Sequence, residues 1–449
     1  MPRSSRRVVI TGSGPLTAFG LGVAPLWDAL ESGRTGIAPI ETMDASGFPC
    51  TAWAAVPASA FDVRQIVPKS YRKATKVMAR DIELAVGAAH AAVTAAGLVT
   101  KGTSEGAAPT IAPARVGCHI GAGLIPADAA ELAAALHTSR DSEGNFDIGE
   151  WGRAGMQNLT PLWLLKYLPN MLACHVTIIH DCQGPSNTIT CAEPSGALSI
   201  GESMRVIGRG DADACLSGGA ESKLNTMGML RQHFAGRLAP VPPRTSAADA
   251  AARVRPFAPD ACGTVLGEAG AILVLEAMES AAARGVNAAV ELAGFGASQC
   301  ACVDTVGVDL SASGPDIAAA IESALADAGI AASEVDAIVP LGMGHAPTDS
   351  AEASAMREVF GDRLASIPLV TLTPVLGACG AGASALAVIV AAECIARQML
   401  PARLSTARSG ELGLDADACP SRSAELRTVL TLSTGLGGQN AAVVLRRTS

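Results

Sequence analysis

Aromatic residues are scarce in this chain of 449 residues, with 8 Phe, 4 Trp and 2 Tyr making up 3%. So few rings leave little on which nucleic-acid bases could stack. An excess of positive charge is also missing: 33 Lys and Arg face 42 Asp and Glu, for a formal charge of −9. A phosphate backbone wants a basic face, so nucleic acid is excluded as the main partner. Charged residues reach only 17% against 49% hydrophobic residues, which excludes disorder as the principal state. The 12 cysteines include no CxxC pair, Cys300 and Cys302 being the nearest couple, and HExxH is absent. The seven histidines do not fall at ligand spacing with them, so no metal site is expected and the cysteines read as reduced core residues. The longest greasy stretch, GACGAGASALAVIVAA (377–392), is short of about 18 apolar residues and reads as a buried helix, with no membrane span expected. The apolar run after the N-terminal arginines, Val8 to Ile10, is too short for a signal peptide, so the cytoplasm is the default location.

What is present is a repeating grammar of short apolar runs and longer stretches of small residues. VVITGSG, ARVGCHIGAG (114–123), SNTITC (186–191), DACLSGGAES (213–222), AGAILVLE (269–276), VDAIVPLGMG (335–344) and a segment near Leu369 to Leu372 read as strands. Helices are expected over 81–98, from Pro194 to about Ile207, over 315–330 and over 380–398. TVLTLSTGLGGQNAAVVLRR (428–447) reads as two strands joined by a glycine turn. The alternation predicts an α/β fold with a largely parallel sheet. Segments near 187–210 and 369–398 look like weak internal copies, which suggests a duplication with halves 1–265 and 266–449. Surface loops are expected at 101–113, 238–252 and 405–425.

GSGPLTAFG (12–20) tempts a dinucleotide-binding reading, but Thr17 occupies the place of the third glycine, and the partial match carries little weight. A stronger signal is spread over the whole chain. RRVVITGSGPLTAFGLGVAPLWDALESGRTGI (6–37), LPNMLACHVTIIHDCQGPSNTIT (168–190), SGALSIGESMRVIGRGDADACLSGGAES (195–222), RPFAPDACGTVLGEAGAILVLE (255–276), FGD (360–362) and STGLGGQNAAVVL (433–445) resemble, in order, blocks of the β-ketoacyl synthases, the condensing enzymes of fatty-acid and polyketide assembly. The resemblance implies a thiolase-like duplicated αβαβα five-layer fold that works as a dimer, with no cofactor. It also implies a Cys nucleophile at a helix N-terminus, two His and a nearby Lys for decarboxylation and condensation, and backbone amides for the oxyanion.

At those positions the chain departs from the family. TCAEPSG puts Glu193 at the nucleophile. LGMGHAPTD, with its register fixed by Asp349, puts Leu341 at the first His. LVTLTPVLGACGA offers neither Lys nor His, and Pro374 is the approximate counterpart of the second. In the C-terminal glycine turn, Gly435, Leu436 and Gly437 stand at the oxyanion and gate positions, Leu436 replacing the family's Phe.

A carboxylate at the first turn of the helix opened by Pro194 is favoured as an anion, a weak base and a poor nucleophile, so Glu193 reads first as a residue that caps the helix and plugs the site. His345, four residues past Leu341, could swing in as an acid or base, or be a loop His without a role. Cys191 reads as a small buried hydrophobe, His175 and His180 as structural, and Glu268 as a brace. The expected function is a non-condensing, chain-length-factor-like subunit. It would work with an acyl carrier protein and its acyl thioester, as a homodimer or as a heterodimer with a Cys-containing synthase. The alternatives are an acyl-thioester decarboxylase, hydrolase or acyltransferase using Glu193 with His345, and a module that binds an acyl chain or carrier protein.

Overall fold

The computed structural model describes residues 6–300, 314–404 and 413–448. Nine strands lie along the path of the main sheet. They are β1 (Val8–Thr17), β2 (Val116–Ala122), β3 (Ser186–Ile189), β4 (Ala214–Glu221), β5 (Ala269–Ala277), β6 (Val290–Gln299), β7 (Ala337–Val339), β8 (Thr428–Thr434) and β9 (Gln439–Arg447). Their spatial order is β3-β2-β4-β5-β1-β6-β9-β8-β7. The join between β1 and β6 is only Val8 opposite Leu292 and Val9 opposite Glu291, so the path divides into two leaves. Six helices cover them: α1 (Arg80–Ala95), α2 (Met171–His180), α3 (Ser195–Gly208), α4 (Gly314–Ala328), α5 (Ala346–Phe360) and α6 (Ala383–Arg397).

The layering follows from alternation along strands that are buried on both faces. In β5, Ala271, Leu273 and Leu275 join one apolar core with α3 and α6, while Ile272 and Val274 join another with α1 and α2. In β9, Val443 and Leu445 join the α3–α6 core, while Ala442 and Val444 join a third with α4 and α5. The stack is therefore α1/α2, leaf one, α3/α6, leaf two, α4/α5, the five layers expected. The greasy stretch is α6, and the 18-residue segment Gly380–Arg397, long and apolar enough to cross a membrane, lies mostly inside this stack.

The glycines of GSG have a packing reason that is written twice. A Cβ on Gly12 or Gly14 would lie 2.4 Å from Ala92 O or 2.1 Å from Ala88 O of α1. In leaf two, a Cβ on Gly294 or Gly296 would lie 2.3 Å from Ala324 O or 2.1 Å from Ala320 O of α4. Each strand shifts register just before its first glycine. The GxG motif is a duplicated strand–helix contact.

Two expectations change. Along the main path, parallel pairing is confined to β2–β3, β2–β4 and β7–β8, and the other ladders there are antiparallel. A tight glycine turn such as that between β8 and β9 can only return the chain antiparallel. β5, just beyond the proposed division at 265, pairs with both β1 and β4 and so completes leaf one. The segment at 369–372 forms a single bridge, Ile338 to Leu369, before Pro374 starts a short helical turn, Thr373–Leu376. Of the expected loops, 238–252 contains a short helix, Ala247–Ala251, and 405–412 lies outside the described residues, as does Cys302.

Candidate functional site

The chain passes from β3 to α3 through a sharp elbow. Ala192 has φ +53°, a left-handed conformation that costs a non-glycine residue about 1–3 kcal/mol and persists only where its surroundings impose it. Here Ser195 Oγ accepts the Cys191 N–H at 2.8 Å and donates to Ala192 O at 2.6 Å. Pro194 is the cap of α3, and Glu193 stands just before it. The start of α6 holds the elbow from the other side: Ser384 Oγ donates to Glu193 O at 2.7 Å and accepts the Ala197 N–H at 3.0 Å.

Glu193 is 2% exposed, and its Oε1 accepts from Arg237 Nη1 at 2.9 Å. Arg237 is itself buried. Burial pushes the Glu193 carboxyl up, but the Arg237 guanidinium and then the Lys223 ammonium outweigh it and leave the group below the usual carboxylate range. Lys223 is paired with Glu221 at 3.0 Å, and Glu221 Oε2 accepts the Ala381 N–H at 2.7 Å. Beyond Glu221, Asp81 Oδ1 accepts the Ser222 N–H at 3.1 Å, and burial and the Glu221 charge push Asp81 up to about 8. Glu268 follows, in an ion pair with Arg80 at 2.8 Å, and accepts the Val56 N–H, a brace as the sequence suggested.

Glu193 opens on a hollow of only about 30 Å³ that is also lined by Leu341, Met343, Leu376 and Ser433. That is room for a water molecule, far below a small-molecule site. Leu341 and Glu193 line the same hollow. The other sequence candidates do not line the hollow. His345 caps α5, its Nδ1 3.0 Å from Thr348 Oγ1 and its backbone bridged to Cys262. Pro374 is buried, with its carbonyl accepting the Thr35 hydroxyl at 3.0 Å, and Leu372, Thr373 and Leu376 line the hollow from that segment. Leu436 is half-buried in the hairpin turn, where Gly437 has φ +104°. The Gly435 N–H, a candidate oxyanion donor, is committed to Gln439 O at 2.8 Å. A Cβ on Gly435 would lie 2.8 Å from Pro194 Cδ, so its job is close packing on the elbow. Leu432 and Ser433, just upstream, reach the hollow instead.

Asp349 entered the sequence reading only as a register mark, and the carboxylate pair it forms with Glu352 was not foreseen. Asp349 accepts the N–H groups of Met343, Gly344 and Phe257, and Glu352 those of Leu341 and Gly342, all at 2.9–3.0 Å. Thr373 Oγ1 donates to Gly342 O at 2.7 Å and ties this loop to the second His segment. Burial pushes Asp349 up to about 7, and burial together with the Asp349 charge pushes Glu352 up to about 8. Arg237 and Lys223 were missed because nothing in their spacing links them to residue 193. The signal available was that a carboxylate at a buried elbow requires a cation.

The remaining residues take bland roles. Cys191 is half-buried and burial raises its thiol. His175 Nδ1 meets the Tyr71 hydroxyl and His180 Nδ1 the Thr100 hydroxyl, both at 2.8 Å, and burial holds their pKa at about 4 and about 3. Among the described residues no three His, Cys, Asp or Glu side chains gather as metal ligands.

Comparison with known proteins adds a framework. Residues 5–281 match the family model described as beta-ketoacyl synthase, N-terminal domain, and 289–407 its C-terminal domain. A 3-oxoacyl-[acyl-carrier-protein] synthase 2 of Coxiella burnetii is 31% identical over 451 aligned residues, covering 98% of this chain and 99% of that protein. Among solved structures, the ishigamide ketosynthase/chain length factor superposes with a TM-score of 0.81 at 27% identity, covering 99% of this chain and 100% of that one. The complex AntDE:AntF, a type II PKS acyl-carrier protein with its ketosynthase bound to the hexaketide, gives 0.82 at 25% identity with the same coverage.

Proposed function

Because the chain belongs to the β-ketoacyl synthase family, whose fold it shares throughout, we propose that it is a non-condensing subunit of a fatty-acid or polyketide assembly, similar to a chain length factor. One observation carries this reading: the nucleophile's place holds a carboxylate locked to Arg237 beside Leu341, in a hollow too small for an acyl chain. Held as an anion, Glu193 is a weak base and would repel a malonyl carboxylate. An active thioester enzyme using Glu193 with His345 finds no support, since His345 is turned to Thr348 at the cap of α5.

The surface supports partners. β3 is the free edge of leaf one, and Ser186 and Asn187 are exposed on it. Large apolar side chains are exposed between β2 and α2, among them Phe146, Ile148, Leu162 and Leu164. An unpaired edge and exposed apolar groups favour a permanent protein partner, and we assign them to a Cys-containing synthase. The 3-10 helix Lys69–Val77 exposes Lys69, Arg72, Lys73 and Lys76, which suit an acidic carrier protein. A cytoplasmic location fits these partners.

Mass spectrometry after incubation with acyl and malonyl carrier thioesters, alone and with a Cys-containing synthase, tests the reading. The expected result is no adduct on this chain and an acyl adduct on the partner. An adduct on this chain refutes it.

A further inference from the structure

At the far end of α3 from the elbow, a cleft of about 240 Å³ opens where the two leaves meet. Arg205 of its wall lies in the last turn of α3, about 15 Å along the axis from Ser195 at 1.5 Å per residue. Arg7 reaches the cleft from the segment entering β1, Glu291 from β6 and Arg446 from β9. Val8, Met204 and Leu292 line it with buried apolar surface.

Several of the charges here are spent within the protein. Arg6 donates to Glu279, Asp213 and Ala212 O, and Arg205 to Asp327 and Phe295 O. Asp327 Oδ2 also accepts the Phe295 N–H at 3.0 Å. An imbalance is left at Glu291. Arg7 from leaf one and Arg446 from leaf two both donate to its Oε2, the latter at 3.5 Å. Two guanidiniums thus share one carboxylate, a local surplus of positive charge. Each commits a single N–H of the five that a guanidinium carries, and their side chains are 46% and 39% exposed. Glu291 itself is 4% exposed, and its Oε1 accepts nothing from the described residues. The N–H groups left over suit the three terminal oxygens of a phosphate better than the two of a carboxylate. The bare Glu291 oxygen repels a second anionic group and offers an acceptor to a hydroxyl. The volume lies below the ~300 Å³ at which drug-sized sites begin, so the ligand is small.

We propose that this cleft binds a small hydroxylated phosphate monoester, its phosphate between Arg7 and Arg446 and a hydroxyl donating to Glu291 Oε1. No bond is made or broken. The ligand joins two leaves whose strands meet directly only at Val8–Leu292 and Val9–Glu291, and so stabilises the folded chain. The site stands apart from the elbow and does not depend on how Glu193 is read.

The test is calorimetric titration of the full chain with glycerol 3-phosphate, inorganic phosphate and glycerol, with Tm measured on the same samples. Glycerol 3-phosphate should bind saturably, about tenfold tighter than inorganic phosphate for the added hydroxyl bond to a carboxylate. It should raise Tm with its concentration, and glycerol should not. Arg7→Gln and Arg446→Gln each leave Glu291 one partner, and each should weaken glycerol 3-phosphate about tenfold. Arg427→Gln, at an exposed pair with Glu425, should change nothing. Vesicles of phosphatidylcholine with phosphatidic acid separate a lipid headgroup from the free ester. Co-sedimentation with them in the absence of glycerol 3-phosphate binding would overturn the proposal. So would equal affinity for inorganic phosphate, no binding at millimolar concentration, or undiminished binding by a folded Arg7→Gln or Arg446→Gln. If one of these variants does not fold, the other, on the opposite leaf, decides.

Discussion

At the scale of residues, the elbow before α3 is held by one buried ion pair. Removing one partner of a buried ion pair leaves an uncompensated charge and costs about 3–5 kcal/mol, whereas replacing both is close to neutral. Arg237→Met is therefore expected to lower the unfolding free energy by about 3–5 kcal/mol in urea titrations. The double variant Glu193→Gln/Arg237→Met should recover most of that loss. A second prediction concerns pH. Asp81 and Glu352 are held up to about 8 in the folded protein, whereas an unfolded chain ionises them near ~4. Between those values the unfolded state loses its protons first, so these groups make stability fall as pH rises from about 4 to about 8 and add nothing to the slope outside that window. Glu352→Gln should flatten the fall, read as unfolding free energy across that range. The sequence placed Glu193 and Leu341 at two family site positions by motif register alone. It could not supply Arg237, because a contact 44 residues away follows from the path of the chain and not from any local period.

Among elements, the helices at 80–95, 195–208 and 383–397 and the strands around 116–122, 214–221 and 269–277 were legible, since apolar period and punctuation by glycine and proline agree there. Strand direction was not legible. The alternation of strands and helices suggested parallel pairing, and the antiparallel ladders of β1, β5, β6 and β9 arise from long returns that composition does not describe. The edge strand β3 gives a prediction at this scale. The Thr188 N–H is bonded to Asn187 Oδ1 at 2.8 Å, so a proline there removes no ladder bond within the subunit. Thr188→Pro is expected to abolish co-elution with the synthase on size exclusion while leaving far-UV circular dichroism unchanged.

For the whole molecule, the proposed docking of an acidic carrier protein on an acidic chain requires a local reversal of sign. The net charge is −9, yet the Lys69–Val77 turn exposes four cations. Carrier-protein affinity should accordingly fall about tenfold between low and high salt, measured by calorimetry, while synthase pairing through apolar surface should not weaken. The five layers also bear on the proposed loss of the reactive groups. Asp349 and Glu352 grip the peptide N–H groups of 341–344 and make no demand on which side chain projects from 341. Folding and reactivity are thus written in separate alphabets at this loop. On the proposed reading, a change of side chain at 341 therefore costs the loop none of the hydrogen bonds that hold its shape.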